Sequence, residues 1–276
     1  MSDPTTEPGT GGADMSQEPP RPLSPGISPL LVLAKIRGIL DAFTLSRPVL
    51  TLAEIRTATG FPTSTVNRLV SNMVAERFLD RDGDGYRIGV TLAYWAAPAT
   101  RGLAELDVLQ PVVTALRDET DETVTIFRNE HDLRVCVAMA ETRHAIRREM
   151  HIGKILALHT GSAGRVLLAW DDEALARILQ APLEAFTPST IVEADELRRV
   201  VDDTRRLGFA TTSDERDEGA TGISAPIFDS TGHVFGALGI SGPTYRIDPA
   251  RLAALGEPLV AAAEEATRLI GGRLPA

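Results

Sequence analysis

The chain has 276 residues, of which 43% are hydrophobic, 24% charged and 5% aromatic, a globular balance with enough length for two domains. No apolar run reaches the roughly 18 to 20 residues of a membrane helix, no basic-then-apolar leader opens the chain, and Cys136 has no second cysteine to pair with. Membrane, fibrous and disulfide-scaffold classes are therefore set aside, and a cytoplasmic protein is expected.

The formal net charge of −10 is unevenly spread, since residues 1–27 hold one basic against four acidic side chains, residues 28–97 eight against six, and residues 98–276 nineteen against twenty-eight. Only the middle block is positive, as expected of a module that meets a polyanion attached to one that does not. Residues 1–28 are Pro, Gly, Ser, Thr and acids with almost nothing to bury, and read as a disordered tail. Val32, Ile36, Ile39, Leu40 and Phe43 then recur at helical spacing and predict a first helix ending near Thr44. Thr51 with Glu54 three residues on is a capping box that opens a second helix, and Gly60 suits its left-handed C-terminal turn. Pro62 is placed in the first turn of a third helix, with Val66, Leu69, Val70 and Met73 as its buried stripe.

The opposite face of that third helix carries Thr63, Ser64, Asn67, Arg68 and Ser71, all hydrogen-bonding and none acidic. Two helices joined through a glycine turn, the second with such a face, are the parts of a helix-turn-helix whose recognition helix enters the major groove. The strands FLDRD and YRIG around the turn GDG add a wing, flanked by Arg81 and Arg87 where guanidinium groups reach phosphate or minor groove. A winged helix-turn-helix domain is thus expected over residues 29–92.

Around Pro98 and Gly102 the sequence predicts a hinge, followed by an apolar-periodic helix interrupted at Pro111, so residues 93–120 read as a linker. From Thr123 the period shifts to two: TVTIF and RVCVAM flank the turn NEHD, and SAPIF and HVFGALGI flank DSTG. Cys136 sits in the first of these hairpins as a small buried hydrophobe. Between the hairpins lie helices near 162–170, 172–180 and 193–207, the last closed by Gly208, and a final helix begins at Asp248 and Pro249. Antiparallel hairpins around a helical middle make residues 121–276 an α+β domain, and the whole chain is of that class.

The stretches ILDAF, LTLAEIRTATGFPTSTVNRLVSNM and RDGDGYRIG, then HIGKILALHTGSAGRVLLAW, GFATTSDERDEG and SAPIFDSTGHVFGALGISGP followed by Arg246, stand in the order found in the IclR family of bacterial transcriptional regulators. The chain resembles that family from about Leu30 to its C-terminus. The resemblance implies a winged helix, a linker helix and a GAF- or PAS-like effector domain whose curved antiparallel sheet holds a small molecule, in dimers or tetramers on palindromic operators. It places DNA contacts at Thr63, Ser64, Thr65, Asn67 and Arg68. It places effector contacts at Thr160, Gly161, Ser162 and Ala163, facing Thr212, Asp214, Gly222, Gly239 and Ser241. Ala157, Gly222 and Gly239 depart from the family's usual residues, which implies room for a larger or less polar ligand, such as an aromatic one.

Independent chemistry supports an anionic effector, because small residues at a helix start (HTGSAG) let an anion approach unpaired N–H groups and the positive dipole end. The expected partners are thus double-stranded operator DNA, a carboxylate or aromatic metabolite and further copies of the chain, with no cofactor, metal or membrane. Two rival readings stand beside this one. A hydrolase built from His159, Asp214, Glu215 and Ser224 lacks any GxSxG, HExxH, Walker or GxGxxG signature, and His151 and His159 stand eight apart without further metal ligands. The other is a sensor or scaffold that uses its helix-turn-helix only to dimerise, which saturable, sequence-dependent DNA retardation would exclude.

Overall fold

Helix α1 (Leu31–Leu40) opens the computed structural model, which describes residues 30–44, 47–101 and 104–275; the expected disordered tail over residues 1–28 lies outside them. The helix ends four residues before the expected Thr44, because the amides of Ala42 and Phe43 turn to the carbonyls of Ile39 and Leu40 three residues back and tighten the chain. Strand β1 (Val49–Leu50) follows, too short for any periodicity to announce it. Thr51 then caps α2 (Leu52–Thr59) through the reciprocal bonds of a capping box, and Gly60 closes it at φ +65°. In α3 (Thr63–Ala75) the buried residues are Val66, Leu69, Val70 and Met73, and Pro62 takes the N-cap position, one residue before the turn expected for it. The wing is β2 (Leu79–Asp82) against β3 (Gly85–Ile88), with β1 completing a sheet of order β1-β3-β2.

The Asp80 carboxylate accepts from the Val90 amide at 3.2 Å and so helps start α4 (Val90–Arg101). The expected hinge at Pro98 is a correction: α4 runs through that proline, which near the helix end forfeits a single backbone bond to the Tyr94 carbonyl. Gly102 lies outside the described residues. A second correction concerns Pro111, which does not interrupt α5 (Ala104–Thr120). The helix buries Leu109, Val112, Val113 and Leu116, and at about 1.5–3 kcal/mol for each large side chain this outweighs the roughly 3 kcal/mol an interior proline costs.

The described residues fall into two units dividing between Gly102 and Leu103. The helix α5 belongs to the core of the second unit. In that unit β4 (Thr123–Glu130), β5 (Leu133–Ala140), β6 (Ile155–Ala157), β7 (Ala210–Ser213), β8 (Ala220–Phe228) and β9 (Val234–Pro243) form one antiparallel sheet of order β6-β5-β4-β9-β8-β7. His131 and Asp132, both at positive φ, make the tight turn between β4 and β5. Helices α6 (Gly161–Ala169), α7 (Asp172–Ile178) and α8 (Ala194–Leu207) cover one face. Helix α5 covers the other with α9 (Pro249–Ala254) and α10 (Gly256–Leu269). The single final helix expected from Asp248 is two, since the ring of Pro258 opposes a continuous helix at the Ala254 carbonyl. Both sheet faces are buried, so β8 is buried along its whole length instead of alternating.

The N-terminal core makes a direct prediction about α3. Met73→Ala removes a buried side chain and is expected to cost 2–5 kcal/mol in chemical denaturation, whereas Ser71→Ala, on the exposed face, stays within about 0.5 kcal/mol.

Candidate functional site

The aliphatic stripe that locks α3 onto the N-terminal core leaves its other side to solvent. Thr63, Ser64, Asn67, Arg68 and Ser71 are exposed and Thr65 is half-buried. The helix contains no acid, so nothing offsets the positive end of its dipole or repels phosphate. The Arg68 guanidinium makes no ion pair among the described residues, and the amide of Asn72 braces the Arg68 carbonyl at 2.7 Å. On the wing, Arg81 lies 5.6 Å over the Tyr86 ring, and Arg87 stands 3.6 Å from Asp82. That half-exposed pair is weak and salt-screened, so Arg87 can exchange it for a phosphate. Eight polar or basic positions singled out from sequence, Thr63 to Ser71 on α3 and the two wing arginines, thus belong to one N-terminal unit built from local elements.

The second site lies under the start of α6. Strand register sets its floor: Thr125, Gly239 and Ser224 pair across β4, β9 and β8, and the next row is Thr123, Ser241 and Gly222, joined by Thr212 on β7. Two of these positions lack side chains, which hollows the sheet; a Cβ on Gly222 would stand 3.2 Å from Ser162 Oγ, and one on Gly239 2.6 Å from Ser224 Oγ. The roof is the first turn of α6, where Gly161 takes φ +75° and the Ser162 amide donates to Thr212 Oγ1 at 3.1 Å. Ser162 and Ser224 hydroxyls bond across the gap at 2.8 Å. The resulting cavity is lined by Gly161, Ser162, Ala163, Thr212, Gly222, Gly239 and Ser241. Thr160 and Asp214 stand outside it. Thr160 is fully buried with its hydroxyl toward the Ala157 carbonyl, and Asp214 spends its carboxylate on the Gly219 amide at 2.6 Å.

Sequence reasoning missed the charged wall of this cavity. Arg134, Arg148 and Arg216 line it with Glu215 and Asp217, and Phe127, Leu156 and Met150 supply its apolar side. Arg148 and Arg216 both pair with Asp217, while Glu215, 3% exposed, is held by Arg165 at 2.7 Å. Burial pushes the Glu215 carboxyl up and the Arg165 guanidinium down, each opposed by the attraction of its partner. One signal was present: an arginine at an inward position of the apolar run RVCVAM is out of place unless something meets it.

The residues of the hydrolase rival do not converge. His159 Nε2 is bonded to the Glu184 carbonyl at 2.9 Å, and Asp214, Glu215 and Ser224 have the separate partners just given. Cys136 is buried and its thiol is pushed up to about 12, chiefly by burial, which keeps it protonated. Among the described residues no three His, Cys, Asp or Glu side chains gather to hold a metal, and no helix is long and apolar enough to cross a membrane.

Two family models match. The IclR helix-turn-helix domain covers residues 32–83, and the bacterial transcriptional regulator IclR C-terminal model covers residues 101–268. The chain is 27% identical to the transcriptional repressor IclR of Escherichia coli, over 94% of this chain and 97% of that one. It is 31% identical to the HTH-type transcriptional regulator BhcR of Paracoccus denitrificans, over 84% and 85%. Among solved structures, an IclR homologue from Microbacterium hydrocarbonoxydans in complex with 4-hydroxybenzoate superimposes with a TM-score of 0.67 at 27% identity, covering 86% of this chain and 99% of that one.

The buried pair behind the cavity generates a stability prediction. Arg165→Met strands the Glu215 carboxylate without its partner and is expected to cost about 3–5 kcal/mol in urea denaturation; the double variant Arg165→Met with Glu215→Leu recovers most of it.

Proposed function

The chain belongs to the IclR family of bacterial transcriptional regulators, and from that premise we propose that the exposed face of α3 reads operator DNA while the cavity beneath α6 holds the effector that sets operator affinity. The observation that carries the DNA assignment is the division of α3 into a fully buried aliphatic stripe and an acid-free polar face. Asn67 and Arg68 are the side chains suited to bidentate base contacts, and Thr63, Ser64, Thr65 and Ser71 suit phosphate and sugar. Arg81 and Arg87 bring the wing to the flanking backbone. A two-fold assembly of chains on a palindromic operator is the natural geometry for one recognition helix per chain, and we assign the protein to the cytoplasm, where its DNA lies.

For the effector we assign a small carboxylate with a planar apolar body. Support comes from the cationic wall, the polar floor and the apolar side at Phe127 and Leu156, together with the 4-hydroxybenzoate held by a relative. No catalytic step is assigned.

Fluorescence anisotropy with DNA flanking the protein's own gene tests the reading. Asn67→Ala and Arg68→Ala are each expected to weaken specific binding by about 1–3 kcal/mol, and unchanged affinity in both would remove α3 as the reading face. Ser241→Trp, which fills the floor of the cavity, is expected to abolish the ligand response; a response that survives would put the effector elsewhere.

A further inference from the structure

Arg134 stands near the start of β5, on the strand face covered by α6, and is only 6% exposed. Its Nε donates to the Ala157 carbonyl at 3.2 Å, and its guanidinium lies 4.9 Å over the Phe127 ring. These contacts fix its direction and leave both Nη groups without a hydrogen-bond or ion-pair partner among the described residues. Of the neighbouring carboxylates, Asp217 is held by Arg148 and Arg216, and Glu215 is bonded to Arg165 through one oxygen and attracts Arg134 only through space. A guanidinium removed from water without an anion bonded to it is costly, and such groups cluster at functional sites.

The backbone is shaped to this group. Gly161 begins α6 so close to Arg134 that a Cβ there would lie 2.9 Å from an Nη atom, and the glycine's positive φ turns the helix start toward the cavity. The buried arginine and the positive end of a nine-residue helix therefore face the same small space, with apolar Phe127 and Leu156 at its side. Burial, and then the charges of Arg216 and Arg148, lower Arg134 to about 9 against the opposing attraction of Glu215.

We propose that Arg134 anchors the effector's carboxylate and is the residue that selects an anionic ligand over its neutral isostere. The inference rests on the cavity being the effector site, and adds to that reading which residue holds the charged end. A bidentate carboxylate on the two Nη groups restores the missing counter-charge, and the rest of the ligand then lies along Phe127 and Leu156. Since the lone cation costs stability when the site is empty, its removal has an unusual signature: Arg134→Met is expected to melt at or above the wild-type temperature without ligand.

The test is calorimetric titration and thermal shift of the full chain with acetate, benzoate, 4-hydroxybenzoate and benzamide. In the wild type at least one carboxylate is expected to bind and raise the melting temperature, and benzamide to do neither. Arg134→Met is expected to lower that carboxylate's affinity at least tenfold, and Arg134→Lys to keep part of it. Undiminished carboxylate affinity in Arg134→Met, or equal binding of benzoate and benzamide, overturns the anchor and leaves the effector site standing. A wild type indifferent to every carboxylate overturns both. An Arg134→Met chain that melts well below the wild type yet binds carboxylate as tightly assigns Arg134 a packing role instead.

Discussion

The second unit is organised by a sheet that must be dry on both faces. On the side of α5, α9 and α10 the solution is aliphatic throughout, with Val124, Ile126, Ile223, Ile227, Leu238 and Ile240 fully buried. On the side of α6 it is divided. Phe127, Cys136 and Ala237 fill one part, and the rows Thr125-Gly239-Ser224 and Thr123-Ser241-Gly222 leave the rest small and polar. Bulges between Ile126 and Phe127 and between Ile227 and Phe228 mark the transition, shifting side chains between faces. The first turn of α6 roofs that hollow. Gly164 lets the helix approach, since a Cβ there would strike the Leu158 carbonyl at 2.1 Å.

What the sequence made legible follows from range. The capping box at Thr51, the αL glycine at Gly60 and the four-residue stripe of α3 are decided by residues within one or two turns, and the structure has them as read. The hairpins β4–β5 and β8–β9 were likewise carried by local alternation and turn chemistry. Strands β1, β6 and β7 are two to four residues long and exist only because a neighbour offers an edge, so no periodicity could show them. Pro98 and Pro111 mislead a local reading, since a proline's penalty is fixed while the packing that offsets it at Pro111 is tertiary.

The cavity was legible by halves for the same reason. Its small residues stood in recognisable strings, and most of them meet at the hollow. Its charges did not. Arg134 belongs to a strand, Arg148 to a loop and Arg216 to the turn before β8, and nothing in their spacing puts them on one wall. Asp214 was carried along with Thr212 as a neighbour, but at φ +58° the chain turns it toward Gly219 and away from the hollow.

The same strand geometry determines where a bound anion would be felt. On β4 the cavity side is Thr125 and Phe127, and the reverse side is Val124 and Ile126, packed in one core with Val113 and Leu116 of α5. Successive residues of a strand share one backbone, so a shift of β4 at Thr125 or Phe127 would also move the residues packed on α5. Helix α5 starts at Ala104, close in sequence to the end of α4 at Arg101. Proximity along a chain is not coupling, which requires that the ligand bind two arrangements of the unit with different affinity. With Arg134 as the proposed anchor, a carboxylate would bind more tightly to an arrangement that holds α6 close over the guanidinium than to one that does not. Electrostatics at one residue would thus act on a packed core whose reverse face is covered by α5.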